Sequence, residues 1–170
     1  MRALQRVCEA SREAGLLVLA DAKRGDIGTT ARGYAAAYLS EAAPFPSDAV
    51  TVNPYMGLDT LDPFLEEAEA NGKGVVVLAR TSNPGSADFQ ARDLEGAPLY
   101  ARVVEALAPA IQRLKGAAGE WSSLMLVAGA TGPERRTRCF WCRAMARRAA
   151  GPKMRLRDSR RFQIASKAAS

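Results

Sequence analysis

The stretch Leu16-Leu-Val-Leu-Ala20-Asp21-Ala-Lys23-Arg-Gly-Asp26-Ile27-Gly-Thr-Thr30 sets an apolar run directly against two carboxylates and a lysine. Five apolar residues after Gly15 predict a buried strand over 16–20. The charges then leave the C-terminal end of that strand together, which in a β/α barrel is the end that carries the chemistry. Asp21 and Lys23 are two residues apart, so on extended backbone they point to one face. There the lysine can carry a proton while the aspartate fixes its position and keeps it charged. A surface ion pair at a loop, contributing roughly 0–1 kcal/mol, would use the same residues.

The flanking sequence repeats the same unit. Apolar positions at Ala3, Leu4, Val7, Ala10 and Ala14 predict an amphipathic helix over 2–14, stopped by Gly15. Thr29–Ala42 reads as a second helix broken by Pro44 and Pro46, and Asp48–Asn53 as a second strand. Pro54-Tyr-Met-Gly57 is a turn, Leu58–Ala70 a helix ended by Asn71-Gly72, and Gly74–Ala79 a third strand, apolar throughout. Thr81–Ser86 is a loop, 87–96 reads as irregular, Leu99–Leu114 is a long helix, and Ser122–Ala128 is a fourth strand. Apolar strands alternating with helices predict an α/β fold with a parallel sheet and right-handed crossovers. Half of a β/α barrel and a small open doubly wound sheet both satisfy this order. The Gly-x-Gly-x-x-Gly marker of a dinucleotide fold follows none of the strands.

Composition narrows the chemistry. The 170 residues suit one domain, with 48% apolar and 25% charged residues, as in ordinary globular proteins. There is no histidine, which excludes Ser/His and Cys/His nucleophile systems and most zinc sites. Three cysteines argue against a disulfide scaffold. The apolar runs are too short to span a bilayer and the N-terminal residues lack the apolar core of a signal peptide, so no membrane partner and a cytoplasmic location are expected. The net charge of +6 hides a division: residues 1–134 hold 12 Lys and Arg against 17 Asp and Glu, a net of −5, whereas residues 135–170 hold 12 against Asp158 alone, a net of +11.

Four segments, each at a strand end, resemble the orotidine-5′-phosphate decarboxylase family, and in particular its longer bacterial (type 2) subgroup. The first is the pattern Asp-x-Lys-x-x-Asp-Ile-x-x-Thr at Asp21, Lys23, Asp26, Ile27 and Thr30. The others are Val50-Thr-Val-Asn-Pro-Tyr-Met-Gly57, Leu78-Ala-Arg-Thr-Ser-Asn-Pro-Gly-Ser86 and Val127-Ala-Gly-Ala-Thr-Gly-Pro-Glu134. The resemblance spans about residues 1–134 and implies part of a (β/α)8 TIM barrel, roughly its third to sixth strands, in an enzyme that works as a homodimer without a cofactor or metal. It implies that this enzyme, a carboxy-lyase of pyrimidine biosynthesis, converts orotidine 5′-monophosphate to uridine 5′-monophosphate. By the same resemblance Lys23 protonates C6 of the pyrimidine as CO2 leaves, and Asp21 sits beside the substrate carboxylate. Asp26 and Thr30 reach towards the ribose in the neighbouring subunit's site, Ser82 contacts the pyrimidine ring, and Asn53 supports the charged network. Simpler roles also fit: Asn53 as a loop cap, Ser82 as a turn residue before Asn83-Pro84-Gly85, and Thr29 and Thr30 as helix N-caps.

Parts of the family pattern have no match. The chain opens on what reads as the helix before the third barrel strand, so the second-strand lysine of a Lys-Asp-Lys-Asp network is absent. After Glu134 neither the Gly- and Gln-containing phosphate loop nor the late arginine is recognisable. A decarboxylase domain over 1–134, followed by a basic segment over 135–170, is therefore expected to be a fragment, weakly active or inactive alone. The basic segment reads as a shifted frame of a GC-rich gene, as a basic tail for nucleic acid or acidic surfaces, or as a divergent helical end. Cys139-Phe-Trp-Cys142 has metal or redox spacing without the remaining ligands. The rival functions are a related sugar-phosphate decarboxylase or aldolase and a non-catalytic nucleic-acid-binding protein. The Asn-Pro-Tyr-Met-Gly and Arg-Thr-Ser-Asn-Pro-Gly segments weigh against the first, and nucleic acid is not an expected partner.

Overall fold

The computed structural model describes residues 2–116 and 121–129. Helix α1 (Arg2–Glu13) leads into strand β1 (Leu19–Arg24), helix α2 (Gly28–Leu39) and strand β2 (Ala49–Val52). A 3-10 turn (Leu58–Thr60) precedes helix α3 (Asp62–Ala70) and strand β3 (Gly74–Arg80). A short helix α4 (Ser86–Phe89) and a two-strand ribbon, β4 (Asp93–Leu94) with β5 (Ala97–Pro98), come before helix α5 (Leu99–Arg113) and strand β6 (Leu124–Ala128). The main sheet is parallel, in the order β1-β2-β3-β6. That order follows the chain without reversal. A doubly wound sheet would reverse at a switch point; the strands instead advance in one direction, as in a barrel wall.

The core lies between one sheet face and the helices. Alternate strand residues Val50, Val52, Val75, Val77 and Leu124 meet Leu39, Leu61, Phe64, Leu65, Leu107 and Ile111. Ala31 and Ala35 are fully buried and let α2 lie close against α3. Burying Phe64 or Leu39 contributes roughly 1.5–3 kcal/mol each, and both have no exposed surface. Among the described residues no helix is long and apolar enough to cross a membrane.

The first strand corrects the sequence reading. Pairing begins at Leu19 opposite Ala49, so β1 runs through Asp21 and Lys23 instead of ending before them. Leu16 and Leu17 precede it, and Leu17 is 58% exposed. The chain there is pinned by Val18, whose N–H donates to Asp48 Oδ2 at 2.6 Å. Other boundaries move less. The helix expected over 58–70 divides at Leu61. The helix expected to reach Ala42 ends at Leu39, because the carbonyls of Ala37 and Tyr38 accept the N–H groups of Phe45 and Ser47. The 87–96 segment is ordered: Glu95 (φ +54°) and Gly96 (φ +84°) form a tight turn between β4 and β5.

Candidate active site

At the C-terminal end of β1 the ladder with β2 breaks. Ala20 pairs with Val50 and Arg24 with Val52, so three residues of β1 face one of β2. The excess forms a bulge in which Lys23 adopts the left-handed region at φ +47°. β3 does the same near its own end: Leu78 and Arg80 pair with consecutive residues of β6. Both irregularities therefore re-aim side chains at the end of the sheet where the motif lies.

Lys23 Nζ lies 2.6 Å from each carboxylate oxygen of Asp21. The pair is open to solvent, with side-chain exposures of 52% for Lys23 and 26% for Asp21. Beneath it is Thr51, 3% exposed. Its hydroxyl accepts the Lys23 backbone N–H at 2.8 Å and lies 3.1 Å from Asp21 Oδ1. The sequence reading passed over Thr51; its one signal is a hydroxyl inside Val50-Thr51-Val52, on a strand with no exposed residue. The neighbouring cation is engaged elsewhere: Arg24 donates to the Ala22 carbonyl and stacks 5.4 Å above the Tyr34 ring.

The other expected residues sit at successive strand ends. Asp26, after β1, accepts the Ile27 N–H at 2.8 Å. Thr30 is exposed in the first turn of α2, whose N-cap is Ile27; neither Thr29 nor Thr30 caps it. Asn53, just past β2, accepts the Tyr55 N–H at 3.0 Å and so closes a local turn. Gly25 packs against it: a Cβ there would lie 3.2 Å from the Asn53 carbonyl oxygen. Ser82 is exposed in the loop after β3. That loop is clasped by Gln90, which accepts the Thr81 N–H at 2.8 Å and donates to the Thr81 hydroxyl at 2.9 Å. Gly129 closes the other side, where a Cβ would come within 2.7 Å of the Thr81 carbonyl. The structure thus brings Asp21 and Lys23 into contact and distributes Asp26, Thr30, Asn53 and Ser82 along the same edge. Among the described residues no three His, Cys, Asp or Glu side chains gather as a metal site would require.

The sequence model of the "Orotidine 5′-phosphate decarboxylase / HUMPS family" matches residues 3–135. The chain belongs to this family. The decarboxylase of Corynebacterium glutamicum (strain R) is 45% identical over 129 residues, covering 75% of this chain and 46% of that relative. The decarboxylase of Dechloromonas aromatica (strain RCB) is 49% identical over 122 residues, covering 70% and 39%. A solved structure from Streptomyces avermitilis, assigned as an orotidine 5′-phosphate decarboxylase, superposes with a TM-score of 0.68 at 40% identity, over 78% of this chain and 46% of that one. The chain thus spans under half the length of these decarboxylase relatives. The likeness identifies β1, β2, β3 and β6 as consecutive strands of a TIM-barrel wall. The Cys139–Cys142 pair and the whole of 135–170 lie outside the described residues.

Proposed function

We propose that this chain carries the proton-donating half of an orotidine 5′-monophosphate decarboxylase site, which forms uridine 5′-monophosphate in pyrimidine biosynthesis. The observation that carries the reading is the Asp21–Lys23 contact on the bulged end of β1. Departure of CO2 leaves charge on C6 of the pyrimidine. An ammonium held there stabilises that charge as it develops and then supplies the proton. Asp21 holds the ammonium and lies where the substrate carboxylate would approach. Ser82, on a loop fixed by Gln90 and Gly129, faces the base; Asn53 shapes the neighbouring turn. Asp26 and Thr30 are directed to the ribose across a homodimer, in the cytoplasm. We assign the decarboxylase domain to residues 1–134 and the basic segment to residues 135–170.

The test is turnover of orotidine 5′-monophosphate by the full chain, followed as CO2 release. The rate should lie well below that of a full-length family member, since binding energy remote from the reacting carbon drives such reactions and the chain covers 46% of the Corynebacterium glutamicum relative. Lys23→Ala should remove at least about 10²-fold of whatever rate is seen, the scale of a lost proton donor. A rate indifferent to Lys23→Ala would refute the assignment.

A further inference from the structure

We propose that Thr51 is the positioning residue of the Asp21–Lys23 pair. Its hydroxyl takes up the Lys23 N–H within the β1 bulge and holds the Asp21 carboxylate, and so sets where the lysine ammonium sits. The purpose of the pair rests on the decarboxylase reading; the positioning itself rests on geometry alone.

Strand β2 is buried along its length, and a buried hydroxyl must find hydrogen-bond partners. In an unbroken parallel ladder every second β1 residue bonds to β2, and the Val18 and Arg24 carbonyls do so, accepting from Ala49 and Asn53. The extra residues on β1 break that alternation, and the N–H of Lys23, lying between ladder positions, donates to the Thr51 hydroxyl at 2.8 Å. A hydroxyl has one hydrogen to give. Asp21 Oδ1 at 3.1 Å is nearer than the Ala20 carbonyl at 3.5 Å, and it is charged. Thr51 thus accepts from the Lys23 backbone and donates to the Asp21 carboxylate. That carboxylate in turn holds Lys23 Nζ with both oxygens at 2.6 Å. The result is a closed ring, from hydroxyl to carboxylate to ammonium and back along the lysine to its own N–H. It anchors the lysine at both ends and holds it in its left-handed conformation.

Two variants of the full chain separate this role from packing. Thr51→Val keeps the shape and loses the hydroxyl; Thr51→Ser keeps the hydroxyl and loses the methyl group. Competitive acetylation of lysines, read by mass spectrometry with Lys115 as internal reference, reports how firmly the Lys23 ammonium is held. In Thr51→Val the Lys23 rate should rise at least about threefold, the scale of a loosened exposed ion pair. In Thr51→Ser it should stay at the wild-type rate. The opposite order, or no change in either variant, would overturn the proposal. Should Thr51→Val fail to fold, amide exchange of the wild-type chain decides: the Lys23 N–H should exchange at least about tenfold slower than an open amide, and an unprotected Lys23 amide overturns the proposal outright. No readout uses substrate, so failure of the decarboxylase reading would leave these results standing.

Discussion

Lys23 occupies a backbone conformation that costs a side-chain-bearing residue roughly 1–2 kcal/mol relative to glycine. Replacing it with glycine should therefore give a chain more stable than Lys23→Ala by about 1 kcal/mol in urea denaturation, the reverse of the usual strand preference. Cys8 offers a second measurement at this scale. Burial, aided by nearby Glu9, raises its thiol pKa above the usual 9.0, against a hydrogen bond with Ser47. The unfolded thiol ionises first, so the folded chain loses stability as pH rises through about 9 and beyond. The stability of Cys8→Ser, measured against wild type from pH 7 to 10, should gain on it over that window. The sequence made Asp21 and Lys23 legible as a pair because acid and base two residues apart are visible without a structure. Thr51 was not legible: its importance comes from a register break in the neighbouring strand, which no residue of Val50-Thr51-Val52 encodes.

At the scale of elements, the apolar residues marked where strands exist and the partners decided where they begin. Leu16-Leu-Val-Leu reads as a strand by composition, yet pairing starts at Leu19 because β2 starts opposite it at Ala49. The all-apolar Gly74–Ala79 run, in contrast, was located within one residue, since β3 is flanked on both sides and its burial is continuous. The β4–β5 ribbon was missed because two-residue strands carry no periodicity; only Glu95-Gly96 marks the turn. Gly129 is the tightest of these joints, where an added Cβ would lie 2.7 Å from Thr81 backbone atoms. A methyl group there would meet the Thr81–Ser82 peptide, so Gly129→Ala should shift the Ser82 amide resonance and cost about 1–3 kcal/mol, the range of overpacking. Within the helical layer, Phe64→Ala should cost about 3–5 kcal/mol by the same denaturation measurement.

At the scale of the whole molecule, the charge division is the feature most easily tested. If residues 1–134 are a domain by themselves, truncation after Glu134 should leave the melting temperature unchanged within about 2 °C, the low end of the shift that 1 kcal/mol produces in a chain of this size. The strictly sequential strand order has a consequence for how the chain acquires this form. Leu19 meets Ala49, Val50 meets Val75, and Val75 meets Leu124, so each strand joins an edge already made from sequence upstream of it. A chain emerging from the ribosome N-terminus first can therefore lay down the sheet strand by strand, with no pairing waiting on a later one. The bulge that presents Lys23 needs only β1 and β2, so it can take shape before the rest of the wall has been translated.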